Sequence, residues 1–317
     1  MEDRELISIG LAQGKSYREI GKEINRSHTT IKREVDQNSA PINKGYYLAS
    51  KAQERSSTRN RETHKRDRLK NKEIRKYVQG KLIKGWSPEL ISGRISRFLP
   101  KQKIGYEAIY QYVYAEAPEL TKCLPRKHKV RKYWGYTRKH AKNHIPGRVG
   151  IDKRPSVINQ RKRFGDWELD TAVSRASKSV LLVHVERKSR LIKISKLSRK
   201  TAKLVAKVTI RKFKNLPKKL RLSITYDNGT ENTDHQKINL ALKTKSFFCA
   251  PFHSWEKGTV ENSIGLIRRY LPKKTDFSKV TFGQIRKIEN ALNNRPRKCL
   301  NFSTPNEIMS GAIARGM

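Results

Sequence analysis

Apolar residues recur along this chain with two different periods. Through residue 36 the period is helical: Leu6, Ile9 and Leu11 precede Gly14, Ile20 and Ile24 lie one turn apart, and Ile31 repeats at Val35. Ser16 to Glu19 matches a capping box, in which the Ser and Glu side chains each satisfy an orphan backbone donor, so a helix is expected from Tyr17. A comparable pattern returns at 71 to 115. Ile74, Val78 and Leu82 form a stripe ended by Gly85, and Ser87-Pro88 open a helix carrying Ile91, Ile95 and Leu99 as far as Pro100. "GYEAIYQYV" then supplies a third helix through Ile109 and Val113. The charge-rich segment 51 to 70 reads as a solvated helix or linker. From 164 the period drops to two. "DWELDTAVS", "SVLLVHVERKS" and "LIKISKLS" read as an antiparallel meander, followed by a helix, a strand, a helix, a short strand and a last helix, a mixed α/β layer.

Charge decides the kind of partner. Lys and Arg number 72 against 28 Asp and Glu, a formal charge of +44 that attracts phosphate polymers or anionic membranes. No stretch approaches the roughly 18 apolar residues of a spanning helix, and "MEDRELISIG" lacks a signal peptide's basic and apolar regions. A cytoplasmic protein on the nucleoid, with no membrane contact and nucleic acid as partner, is expected. RNA fits the charge, but no RNA-binding module is recognisable. Cys123, Cys249 and Cys299 are scattered and odd in number, against a disulfide framework. Cys123, His128, His140 and His144 loosely resemble a zinc set, but they supply one Cys where two are usual and sit among repelling Lys and Arg.

Polar positions refine the partner. With the apolar pairs packed inward, His28, Thr29, Thr30, Lys32 and Arg33 face out, as on a helix-turn-helix set into a DNA major groove; a helical hairpin of a larger core is the competing reading. Residues 122 to 163 hold fifteen Lys or Arg and one acid, Asp152. Phosphate contact through Lys127, Lys129, Arg131 and Lys132 is expected there, with a solvated linker as the alternative.

Against this background "TYDNGTENTDH", 225 to 235, clusters three acids. Asp227 falls at the end of an expected strand, where α/β sheets collect ligands; a solvated turn after the strand is the competing reading. Asp170 lies inside the first strand on the face of Glu168, opposite Trp167 and Leu169, so the apolar pair faces the core and the acids share the other side. An acid half-buried in mid-strand is costly unless paired or bound to a cation. Glu261 sits in the first turn of a helix expected from Val260 to Tyr270.

These acids and their surroundings resemble the DDE transposases of bacterial insertion sequences, in particular the IS-thirty family. Thirty-three residues separate Asp227 from Glu261, the family spacing. "YREIGKEINRSHTTIKREV" and "GWSPELISGRI" are similar to its two helix-turn-helix units, "RPSVINQRKRFGDWELDT" to the entry of its core, and "NNRPRKCLNFSTPNEI" to its tail. Leu169 replaces a commoner Gly, and Ile264 and Lys274 also depart from the family pattern. The resemblance implies two all-α helix-turn-helix modules (1–45 and 46–120), a basic DNA-contacting linker (121–160), a ribonuclease-H-like core of retroviral-integrase type (161–275) and a helical tail (276–317). It implies Asp170, Asp227 and Glu261 as catalytic metal ligands, Arg268 as a phosphate contact, and two Mg²⁺ ions with Mn²⁺ as a substitute. The expected partners are double-stranded DNA, as inverted-repeat ends and target, and further copies of the chain on that DNA. Cleavage and strand transfer through a circular intermediate follow by the same route. The alternative is a catalytically silent, transposase-derived DNA-binding regulator.

Overall fold

The computed structural model describes residues 2–40, 46–64, 69, 71–100, 102–125, 145–250 and 253–314. The chain divides into two compact units, 1–70 and 71–317.

The first unit is helical: α1 (Glu2–Ala12), α2 (Tyr17–Glu23), α3 (His28–Asn38) and α4 (Ala49–His64). The capping box forms, with Glu19 N donating to Ser16 Oγ and Ser16 N to Glu19 Oε2 at 2.7 Å. Ile7, Ile20, Ile31, Val35, Tyr47 and Ala52 make the core. Two of the apolar residues expected on the first helix face outward instead, Leu6 at 46% and Ile9 at 53% exposure. Ile7 and Gly10 take the inner face because a Cβ on Gly10 would lie 2.7 Å from Ile20 Cγ1. Closeness of approach, not side-chain bulk, selects that face. The segment expected as a solvated helix or linker also packs: Ala52 is buried, and Arg55 and Arg59 donate to the carbonyls of Asn38 (2.6 Å) and Gln37 (2.5 Å) at the α3 C-terminus. Both guanidiniums satisfy orphan carbonyls there.

The second unit begins with α5 (Lys72–Ile83), α6 (Pro88–Arg94) and α7 (Tyr106–Ala115). Ile74, Val78, Leu82, Ile91, Ile109 and Val113 are buried, and Gly85, at φ +78°, ends the α5 turn in a conformation that favours glycine. Helix α6 is shorter than its apolar pattern suggests, passing into a 3₁₀ turn at Ile95.

After the single turn α8 (Ser156–Asn159) come β1 (Asp166–Val173), β2 (Val180–Glu186), β3 (Ile192–Leu197), α9 (Ala202–Phe213), β4 (Ser223–Tyr226), α10 (His235–Leu242), β5 (Lys245–Phe248) and α11 (Gly258–Ile267). Helices α12 (Phe282–Asn293) and α13 (Pro305–Ala314) complete the described chain. The sheet order is β3-β2-β1-β4-β5, with β1 antiparallel to β2, β2 antiparallel to β3, and β1, β4 and β5 parallel. This five-stranded mixed sheet, flanked by helices on both faces, is the mixed α/β layer expected from the sequence. Trp167, Leu169, Phe213, Tyr226 and Ile238 fill one face, under α9 and α10. Val183, Val185, Val260, Ile267 and Ile285 fill the other, under α11 and α12. Strand β3 is protected at its outer edge because Asn293 exchanges 2.8 Å hydrogen bonds with Ile192 N and O, and Glu289 accepts from Ile194 N at 2.6 Å. Side chains of α12 thereby stand in for a missing strand.

One buried group makes stability depend on pH. His184 is fully buried between β2 and α9, with Nε2 3.1 Å from Thr209 Oγ1, and burial lowers its pKa from 6.5 to about 3. The unfolded chain therefore binds a proton that the folded chain refuses. Stability is full above pH 6.5 and is lost as pH falls toward 3, by up to about 1.4 kcal/mol per pH unit. In urea titrations between pH 6.5 and 4.5, His184→Gln is expected to flatten this dependence; an unchanged slope would contradict the assignment.

Candidate active site

The site grows from strand register. Glu168 of β1 pairs with Thr225 of β4, so two residues further along the parallel pair Asp170 comes beside Asp227, which follows the last residue of β4. Adjacent strands lie about 4.8 Å apart, close enough for the two carboxylates to share a cation. They share one of the protein's own. Lys257 Nζ lies 3.5 Å from Asp170 Oδ2 and 3.2 Å from Asp227 Oδ2, and also reaches Leu169 O at 3.3 Å. Lys257 is only 5% exposed, while Asp170 and Asp227 are partly open.

Neighbouring donors fix both carboxylates. Thr171 N donates to Asp170 Oδ1 at 2.7 Å, and Asp227 Oδ1 accepts from Asn232 Nδ2 at 2.7 Å and from Gly229 N at 3.3 Å. Burial raises the pKa of Asp170; Lys257 opposes that rise and Asp227 adds to it. For Lys257, burial works to lower the pKa, but Asp170 and Asp227 outweigh it and hold the ammonium charged. The other acids of "TYDNGTENTDH" belong elsewhere: Glu231 is buried against Lys200 Nζ at 2.7 Å, and Asp234 pairs with Lys237 at 2.9 Å.

Glu261 is exposed in the first turn of α11, one helical turn beyond Lys257. That turn is anchored by Glu168, whose Oε2 accepts from Val260 N at 2.9 Å and whose Oε1 is ion-paired to buried Arg187. Glu168 does share the face of Asp170, but α11 covers that face and leaves Glu168 wholly buried. Arg268 closes α11 and turns back to donate to Val173 O, with its guanidinium carbon 5.4 Å from the Phe277 ring centre; burial lowers its pKa. Among the described residues no three His, Cys, Asp or Glu side chains are gathered closely enough to hold a metal. Two of the three expected ligands converge, and Glu261 stands one helical turn beyond the lysine that they share.

On the first unit, His28, Thr29, Thr30, Lys32 and Arg33 are all exposed along α3, whose N-terminus is capped by Ser27. Lys127, Lys129, Arg131 and Lys132 lie outside the described residues, as do His128, His140 and His144. Sequence reasoning missed Lys257, Asn232 and Arg187. Lys257 alone left a signal, four residues before Glu261 and so on the same helical face.

The chain thus joins an N-terminal helical unit with a polar, basic outer helix to a mixed α/β core in which two aspartates meet at a strand end. A helix-turn-helix domain family matches residues 1–38. The chain is 40% identical, over 96% of its own length and 93% of the relative's, to the transposase for insertion sequence element IS4351 of Bacteroides fragilis. It is 36% identical, over 99% of its length and 84% of the relative's, to transposase InsI for insertion sequence element IS30A of Escherichia coli strain K12. The solved catalytic core domain of BIV integrase covers 48% of this chain and 99% of its own, at 20% identity and a TM-score of 0.39. The chain belongs to the IS30 family of insertion-sequence transposases. It is a DNA transposase, an enzyme of the polynucleotidyl transferase type.

Proposed function

We propose that this transposase reads the terminal inverted repeats of its element through the exposed face of α3, then cuts and joins DNA strands at Asp170, Asp227 and Glu261 with divalent metal. The observation that carries this reading is the convergence of Asp170 and Asp227, from adjacent parallel strands, on a single cation. Their hard oxygen donors suit Mg²⁺, with Mn²⁺ as a substitute. Bound metal supplies activation of the attacking water or 3′-hydroxyl and stabilises the leaving oxygen.

The chain's own residues do the rest. Thr171 N and Asn232 aim the two aspartates, and the Lys257 ammonium balances their charge. Glu168 holds the first turn of α11, and with it Glu261, against β1. Arg268, at the far end of α11, would add positive charge for the DNA backbone beyond the acidic site. The family resemblance supports abutted ends in a circular intermediate, several copies of the chain acting together on DNA, and a cytoplasmic setting. Among the described residues no helix is long and apolar enough to cross a membrane.

The test is incubation of the full chain with end-labelled terminal DNA. Nicked and joined products are expected with Mg²⁺ and neither with a chelator. Equal product in both conditions would overturn the metal-dependent reading.

A further inference from the structure

Within the second unit, a cleft of about 860 Å³ opens between the α5–α6 turn, the segment at Lys122–Pro125, the end of α11 and the last turn of α12. Lys81, Lys84, Lys122, Arg268, Arg269 and Arg295 line it, and among the described residues no Asp or Glu does. Charge repulsion among six cations opposes such a gathering unless an anion is meant to enter. The decisive residue is Arg295. It is 8% exposed, and among the described residues its side chain has no hydrogen bond or ion pair, with Nε left unpartnered. The charged groups acting on it, Arg297 and Arg269, are themselves cations, and only the Tyr270 phenol acts in the opposite sense. Burial and those neighbours lower its pKa to about 10, so it stays charged at neutral pH. A buried charge without a counter-ion is costly, and among the described residues no carboxylate provides one.

We propose that this cleft is a phosphodiester-binding seat, separate from the acidic site, which grips the backbone of the DNA strand flanking the scissile position. Its ligand class is the DNA phosphate chain, met by Arg295 within the cleft and by Lys84, Lys122 and Arg269 at its rim. Guanidinium is suited to this because its planar fork matches phosphate oxygens. Helix α11 connects the two sites: Arg269 lies eight residues beyond Glu261, about 12 Å along a helical path. A single DNA segment can therefore occupy both. The proposal rests on the DNA-cutting reading for the flanking position of that strand.

The experiment uses the full chain and random-sequence duplex DNA across a salt series. Lys84→Gln, Lys122→Gln and Arg269→Gln are combined in one variant. A control of equal charge loss combines Lys203→Gln, Lys207→Gln and Arg211→Gln, all exposed on α9. The cleft variant is expected to lose about 2 to 3 units of slope in log affinity against log salt, at about 0.9 per phosphate contact, and the control less than one contact's share. Equal slopes in the two variants would overturn the proposal, since net charge alone would then account for binding. So would loss of poly-glutamate binding with DNA binding intact, which would assign the cleft to an acidic protein. Arg295→Met adds a second readout: a melting temperature equal to or above wild type without DNA, with affinity lower by about tenfold or more, as for the loss of a charge-assisted hydrogen bond. A lower melting temperature with unchanged affinity would make Arg295 structural and overturn its role. Absence of cleavage by the wild-type chain would sink the acidic-site reading and leave these slopes in place.

Discussion

Asp170→Asn, Asp227→Asn and Glu261→Gln are each expected to lower strand cleavage by about 10³-fold or more while leaving affinity for the element's ends within about twofold, since each removes one electrostatic support of the transition state. The first two changes are nearly isosteric, and the local bonds to Thr171 N and Asn232 can persist around an amide oxygen. What disappears is negative charge at the point where both aspartates face a cation. The folded state is expected to survive, because Lys257 keeps one carboxylate partner in either single variant. Glu261 is exposed, so its replacement disturbs no packing. Gel-based cleavage and end-binding titrations of the same preparations check the outcome. Robust cutting by any one of the three variants would remove that residue from the site.

Glu168→Ala is expected to lower the unfolding free energy by about 3 to 5 kcal/mol, the usual cost of stripping one partner from a buried ion pair. Arg187 is 4% exposed and would be left with its charge uncompensated, keeping among the described residues a single 3.3 Å side-chain bond, from Nε to Ile158 O. The same change frees Val260 N and loosens the turn that carries Glu261, so cleavage should fall along with stability. Glu168→Gln retains an oxygen for Val260 N and should be milder on both counts. Chemical denaturation of the full chain, paired with cleavage assays, measures the two effects. A loss below about 1 kcal/mol for Glu168→Ala would show that Arg187 finds another partner and that α11 does not depend on this anchor.

The contrast between Glu168 and Asp170 shows what could be read without coordinates. Strand alternation placed both acids on one face, and the position of Asp227 after a strand followed from the apolar run before it. Alternation says nothing of what covers a face. Helix α11 lies about ninety residues further along the chain, and only its packing on β1 separates an anchor wholly inside the protein from an acid open to a ligand. The placement of Glu261 in a first turn was legible, but its relation to the aspartates rested on family spacing, because no local rule links residue 261 to residue 170. The spacing of Lys257 from Glu261 is a weak signal, because a lysine in so basic a chain carries little information and its burial arises from tertiary contacts alone. On α1, Leu6 and Ile9 misled because hydrophobicity outranks smallness in a periodicity count, whereas Gly10 governs how closely α1 approaches α2. The α12 side chains that cover the edge of β3 have no sequence signature, since Asn293 and Glu289 are ordinary surface residues of a helix until a strand edge lies beside them.

The central claim is that Asp227, with Asp170 and Glu261, ligates the metal that cuts DNA, and a ligand exchange tests it directly. Thiolate is a softer donor than carboxylate and favours Mn²⁺ over Mg²⁺. Cleavage of end-labelled terminal DNA by Asp227→Cys, measured in each metal beside wild type, is expected to be barely detectable in Mg²⁺ and to recover by about tenfold or more in Mn²⁺, with no comparable change for wild type. Cutting by Asp227→Cys at the wild-type rate in Mg²⁺, or at one unchanged residual rate in both metals, would contradict it.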